Sequence, residues 1–135
     1  MRHIKLVAVI FYSIIFFCCN GKNYSKAENA LDAGREFIDG CLKGDFSKVS
    51  FYMLDDPRNK ELLQTQQRNY QAKNKEEKQQ YRDASIIIIE DETINDSTHI
   101  INYQNSYDKI GRKVKVILQD NTWLVDFKYT FDGNL

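Results

Sequence analysis

Apolar positions along this chain change their period partway through, and the change separates two kinds of element. Ala27, Ala30, Leu31, Gly34, Phe37, Ile38, Cys41 and Leu42 recur at steps of three and four, with Glu28, Asp32, Arg35, Glu36, Asp39 and Lys43 between them. One apolar stripe on a helical period predicts an amphipathic helix over 25–43. Ser25 with Glu28 reads as its capping box and Gly44 as its stop. Gly34 sits on the stripe, where glycine costs helix propensity; close approach to a sheet is the expected compensation. Asp45 is placed to cap a short second helix reaching Leu54, with Phe46, Val49, Tyr52 and Met53 as its apolar side. Asp56-Pro57 then reads as a cap and first helical position for a third helix ending near Tyr70. Through residue 82 the apolar positions thin to Leu62, Leu63, Tyr70 and Tyr81, so the stretch after Tyr70 is expected to be solvated.

Beyond residue 84 the period becomes two. Strands are predicted over 85–90, 98–104, 113–118 and from Trp123 onward. In the last, Trp123, Val125, Phe127, Tyr129 and Phe131 fall on one side, and Asp126, Lys128, Thr130 and Asp132 on the other. That predicts one buried and one wetter face. Short polar links between neighbours point to an antiparallel meander. Helices first and strands after imply an α+β domain over 25–135, two or three helices packing on one face of a four-stranded sheet. Glu90-Asp91-Glu92 reads as a solvated turn.

The N-terminus has its own pattern. Arg2, His3 and Lys5 precede Leu6 to Phe17, an apolar run broken only by Tyr12 and Ser13. It is too short to span a bilayer and suits an export signal. The run ends at Cys18-Cys19-Asn20-Gly21-Lys22-Asn23, which resembles a bacterial lipoprotein signal. That resemblance implies removal of residues 1–18, lipidation of Cys19 and a tether over 19–24. Cys18 is the competing lipid site, but Phe17 before it fits the pattern less well than Cys18 fits before Cys19. An ordinary cleaved signal and an uncleaved anchor helix are the alternatives. Two acyl chains would hold the protein stably at the membrane. The location implied is the cell envelope, on its periplasmic side or at the cell surface.

Charge and cysteine usage remove several function classes. Formal charge is zero, and without Arg2 and Lys5 it becomes about −2, with no basic cluster; a nucleic-acid partner is not expected. Two of the three cysteines adjoin in the leader, and no CxxC or HExxH spacing occurs. No metal site and no cofactor are expected. The acidic run 90–92 lacks the spacing of a calcium loop. Cys41, on the helix stripe, reads as a small buried hydrophobe.

Leu42-Lys43-Gly44-Asp45-Phe46 at the first helix junction, with the closing hairpin Val114 to Asp126, resembles small exported lipoproteins with a nuclear-transport-factor-like domain, also called cystatin-like or lumazine-binding-like. The resemblance covers 25–131. It implies a curved sheet wrapping a long helix into a cone. It also implies a range of roles, from isomerases and dehydratases to ligand binders and dimers. No catalytic motif of the enzyme members matches this sequence, so no catalytic residue is carried over.

The pocket of such a cone is expected to be lined by Tyr52, Tyr103, Trp123, Phe127 and Tyr129, with tyrosine hydroxyls available to a small apolar ligand. His99 shares the parity of Ile101 and Tyr103 and is expected near the rim. The inner face is expected to hold no carboxylate or histidine, with Asp126 outside. Leu124, Ile117 and one member of each isoleucine pair are expected on the outer face, a patch that a second copy could cover. The function expected is a lipid-anchored, non-enzymatic ligand-binding or protein-interaction module. The alternative is an isomerase, dehydratase or hydrolase using His99 and Tyr103; an envelope lipoprotein without a ligand is a third class.

Overall fold

The structure is a computed structural model and describes residues 22–133. The leader, Cys18 and Cys19 lie outside the described residues. Four helices come first: α1 (Ala30–Lys43), α2 (Phe46–Phe51), α3 (Pro57–Ala72) and α4 (Lys75–Asp83). Four strands follow: β1 (Ile86–Asn95), β2 (Thr98–Asn105), β3 (Arg112–Gln119) and β4 (Thr122–Asp126). A short α5 (Lys128–Asp132) closes the chain. The strands form one antiparallel sheet in the order β1-β2-β3-β4. The architecture is therefore the expected α+β meander.

The first helix begins one turn later than Ser25 suggests. Asn29 Oδ1 accepts from the Asp32 N–H at 2.9 Å, and Asp32 Oδ2 accepts from the Glu28 N–H at 2.9 Å. Asn29 and Asp32 thus make the capping exchange that Ser25 and Glu28 mimic in sequence. Gly44 ends the helix in the left-handed region at φ 68°. Asp45 and Asp56 cap α2 and α3 as expected, with Pro57 opening α3. The polar stretch after Tyr70 does not fray. Asn74 caps α4, accepting from the Glu77 N–H at 2.8 Å, and no α4 residue is fully buried.

The helix stripe explains how α1 meets the sheet. Ala33, Phe37 and Ile38 are buried against Ile101, Val114, Val116 and Val125 of the inner sheet face. A Cβ on Gly34 would lie 2.5 Å from Ile101 Cδ1 and 3.6 Å from Val116 Cγ2. The missing side chain is what lets the helix descend onto β2 and β3. Beyond β4, residues 52–54 add a short parallel bridge: the Leu54 N–H donates to Val125 O, and the Val125 N–H to Tyr52 O, both at 2.8 Å.

Two strand expectations need correction. Glu90, Asp91 and Glu92 belong to β1 rather than a turn. β1 is an edge strand whose register shifts between Ile88 and Glu90. Charges on an edge face water at little cost and discourage further pairing. The second correction concerns the closing strand. Pairing of β4 ends at Lys115↔Asp126, and Phe127 turns into α5. The groups that would continue the ladder are already engaged. The Lys128 N–H donates to Asn59 Oδ1 at 2.7 Å, and the Thr130 hydroxyl donates to Lys113 O at 2.7 Å. Phe127 and Phe131 lie four residues apart, so the aromatic alternation fits a helical face as well as a strand. Their ring centroids are 5.0 Å apart. Asp126 is buried, contrary to its expected place at a wet outer surface; Asn59 Nδ2 and Lys128 Nζ donate to Oδ1 at 3.1 and 2.7 Å.

Candidate functional site

Because β4 stops at Asp126, α5 stands beside the start of β3 instead of extending the sheet. A cavity of about 440 Å³ lies between α1, the β2–β3 end of the sheet, α5 and the helices α3 and α4. The α1 stripe supplies Phe37, Ile38, Cys41 and Leu42. β2 supplies Tyr103 and Asn105, β3 supplies Arg112, and the turn into α5 supplies Phe127 and Phe131. Tyr70, Lys73 and Tyr81 close the helical side. Phe127 packs edge-on against Phe37, with centroids 5.0 Å apart, so two aromatics from distant segments share one wall.

The polar end of the cavity is built by the β2–β3 link. Asn105 Oδ1 accepts from the N–H groups of Tyr107 and Asp108 at 2.9 and 3.0 Å, fixing the turn. Asp108 then accepts from both terminal nitrogens of Arg112 at 3.1 and 2.7 Å, from Asn105 Nδ2 at 3.0 Å and from the Ile110 N–H at 2.9 Å. The Tyr81 hydroxyl also donates to it, at 3.3 Å. Burial alone would raise the Asp108 carboxyl. The Arg112 pairing and the turn donors outweigh burial and hold it at about 2. Asp108 in turn raises Arg112. Lys73 lies 5.0 Å from the Tyr81 ring centroid and pairs with Glu77 at 3.1 Å. Each cation facing the cavity therefore has its own anion.

Two groups inside the cavity are held neutral. Burial pushes the Cys41 thiol up to about 12. Burial also raises the Tyr103 phenol well above its ordinary range. Tyr70 is different. Its ring lies where a Gly44 Cβ would be, and its buried hydroxyl has no partner among the described residues.

The five residues expected around a pocket do not converge. Tyr103 and Phe127 line this cavity. Tyr52 is buried at the end of α2, where its hydroxyl donates to Ser25 O at 2.6 Å, beside a separate polar cleft. Trp123 is half-buried against His99, rings edge to face at 5.4 Å. Tyr129 lies under Lys115, 6.0 Å from Nζ to its ring centroid. His99 does not line this cavity; it stands towards the other end of β2, with Nδ1 2.8 Å from Asp91 Oδ1. Asp108, Arg112, Asn105 and Tyr81 were not foreseen, and they place a carboxylate and a guanidinium beside a region expected to hold no ionisable pair. A signal existed in Tyr70 and Tyr81: isolated aromatics in a polar segment need something to pack on. Arg112 four residues after Asp108 was a second.

Compared with known proteins, the chain matches no family model, no curated protein and no solved structure. The geometry itself offers an aromatic chamber with neutral donors and paired charges. Among the described residues, no group of His, Cys, Asp and Glu could hold a metal ion. No described helix is long and apolar enough to cross a membrane.

Proposed function

We propose that this chain is a non-enzymatic binding module, tethered at the bacterial cell envelope by lipid on Cys19, that houses a small, mostly apolar ligand beneath α1. The observation carrying the reading is the cavity, whose volume falls in the lower range of small-molecule sites. At about 30 Å³ per water-sized atom, about 440 Å³ accommodates roughly 15 heavy atoms. The chemistry around it favours binding over turnover. A carboxylate held at about 2 is a weak base at neutral pH, and the thiol and phenol are held protonated. His99 and Tyr103, the pair an isomerase, dehydratase or hydrolase would use, stand four residues apart on β2, about 13 Å along the strand. That span is too long for both to act on one bond.

Native mass spectrometry of protein isolated from membranes tests the ligand. Bound mass lost on unfolding supports the reading; bare protein that also takes up no apolar probe removes it. Radiolabelled palmitate incorporated by the parent chain and lost in Cys19→Ser tests the anchor; labelling lost only in Cys18→Ser moves it to the neighbouring cysteine.

A homodimer through the outer sheet face is proposed with it. By strand alternation that face carries Ile100 on β2 and Ile117 on β3, with Glu90 and Glu92 level with Lys113 and Lys115 two strands away. A two-fold axis along β2 would set the acids of one copy over the lysines of the other. Sedimentation of the protein as a monomer at tens of micromolar would remove the dimer.

A further inference from the structure

We infer that the cavity takes an uncharged, largely aromatic or alicyclic molecule carrying one hydrogen-bond acceptor, and that the Tyr103 hydroxyl is the donor that reads it. The inference rests on the binding reading above and adds the ligand's chemical class. It begins from the charges. Asp108 occupies both terminal nitrogens of Arg112, and Glu77 occupies Lys73. An anionic ligand would have to break one of these pairs and would meet Asp108 as a like charge. A cationic ligand would meet Arg112 and Lys73 instead. Uncharged molecules avoid both costs.

Polarity within the chamber comes from Tyr103. Its side chain is buried on the inner sheet face and lines the cavity. Nothing among the described residues hydrogen-bonds its hydroxyl. That hydroxyl is open to the cavity, unlike the sealed Tyr70 hydroxyl; a ligand that covers it without offering an acceptor would leave it dry and unpaired, a cost that an acceptor avoids. Burial keeps the phenol protonated, so it offers a proton to share. Tyr70 does not fill this role, because its hydroxyl is wedged against Gly44. Specificity built on one buried donor discriminates against analogues lacking the acceptor more strongly than an apolar wall discriminates by size. The Phe37, Phe127 and Phe131 rings, meeting edge to face, complete a wall suited to flat rings.

Benzophenone is a suitable probe: a neutral diaryl ketone close to the cavity's capacity that couples to neighbouring C–H bonds under ultraviolet light. The full-length chain in its own membranes would be titrated with benzophenone and irradiated, and the adduct mapped by peptide mass spectrometry. The expected result is a saturable adduct on the α1 or α5 peptides that line the chamber. Tyr103→Phe should raise the half-saturating concentration about tenfold while leaving the melting temperature in place, since the hydroxyl holds nothing in the fold. Diphenylmethane, the same rings without the carbonyl, should compete equally on the parent and the variant. Benzoylbenzoate, the anionic relative, should compete more weakly than benzophenone. Unchanged saturation in Tyr103→Phe, or tighter competition by benzoylbenzoate, overturns the inference while leaving a binding cavity. Absence of any saturable adduct in the chamber overturns the binding reading itself.

Discussion

Asn59 is the residue on which the lower end of the molecule depends, and Asn59→Ala tests that directly. It is fully buried at the start of α3. Its Nδ2 donates to Leu54 O at 3.2 Å and to Asp126 Oδ1 at 3.1 Å, and its Oδ1 accepts from the Lys128 N–H at 2.7 Å. One amide therefore ties α3 to the 52–54 bridge, to the end of β4 and to the entry of α5. Two of these bonds are neutral, worth about 1 kcal/mol each, and the bond to the carboxylate about 2 kcal/mol. Removing the amide leaves the three partners without it in a closed space, so the expected loss is about 4 kcal/mol. For a domain of this size that lowers the melting temperature by about 15 °C. Urea unfolding followed by circular dichroism measures it. Asn59→Leu combined with Asp126→Leu sharpens the test, because removing both partners spares the orphaned group. The double variant should lose about 1–2 kcal/mol less than the sum of the single losses. A single-variant loss below about 1 kcal/mol, or strict additivity, would refute the view that this amide joins the segments.

Three further outcomes are expected. Gly44→Ala forces a left-handed residue and drives a Cβ to within 2.4–2.5 Å of Tyr70 ring carbons and 2.8 Å of its hydroxyl, so it should cost about 2–3 kcal/mol; in a Tyr70→Ala background only the backbone share, about 1 kcal/mol, should remain in the same urea assay. Asp108 has a folded-state value lowered to about 2, so its contribution is complete above the ordinary carboxyl range and is lost as pH falls from about 4 towards 2. That contribution is about 2 kcal/mol, and Asp108→Asn should flatten this acid limb in a pH series of melting curves. Cys41, pushed up to about 12, should resist iodoacetamide at pH near 8 in the native protein and react faster on unfolding, read peptide by peptide by mass spectrometry; rapid native alkylation would contradict a thiol that its surroundings hold protonated.

What the sequence made legible, and what it hid, follows from the range of the interactions involved. The α1 stripe, the Gly34 contact, the Asp45 and Asp56 caps and the meander order rest on local periodicity and capping, which a few consecutive residues specify. The hairpin at Asp120 and Asn121, with φ of 48° and 60°, is equally local. The capping exchange was displaced because Ser25–Glu28 and Asn29–Asp32 are the same motif in adjacent frames, and only the polar contacts of the upstream segment separate them. Tyr24 donates to Asp45 and Tyr52 to Ser25 O, tying residues 24–25 down outside the helix. The polar knot of Asn59, Asp126 and Lys128 joins residues 67 and 69 positions apart, and no periodicity announces such a pairing.

The same long-range contact decides whether there is a site at all. Had β4 run on through Phe131, alternation would have kept Phe127, Tyr129 and Phe131 on one face of the sheet. An aromatic row of that kind lies flat under a helix and fills the space with side chains. Capture of the Lys128 N–H by Asn59 turns the chain instead, and the aromatics separate. Phe127 and Phe131 go to the cavity wall, while Tyr129 goes to Lys115. The chamber is therefore a consequence of the strand's early end. A variant that loosens the Asn59 contact without unfolding the domain, such as Asn59→Ser, should reduce benzophenone capture before it reduces secondary structure. Loss of both together at the same denaturant concentration would mean that wall and fold are one cooperative unit.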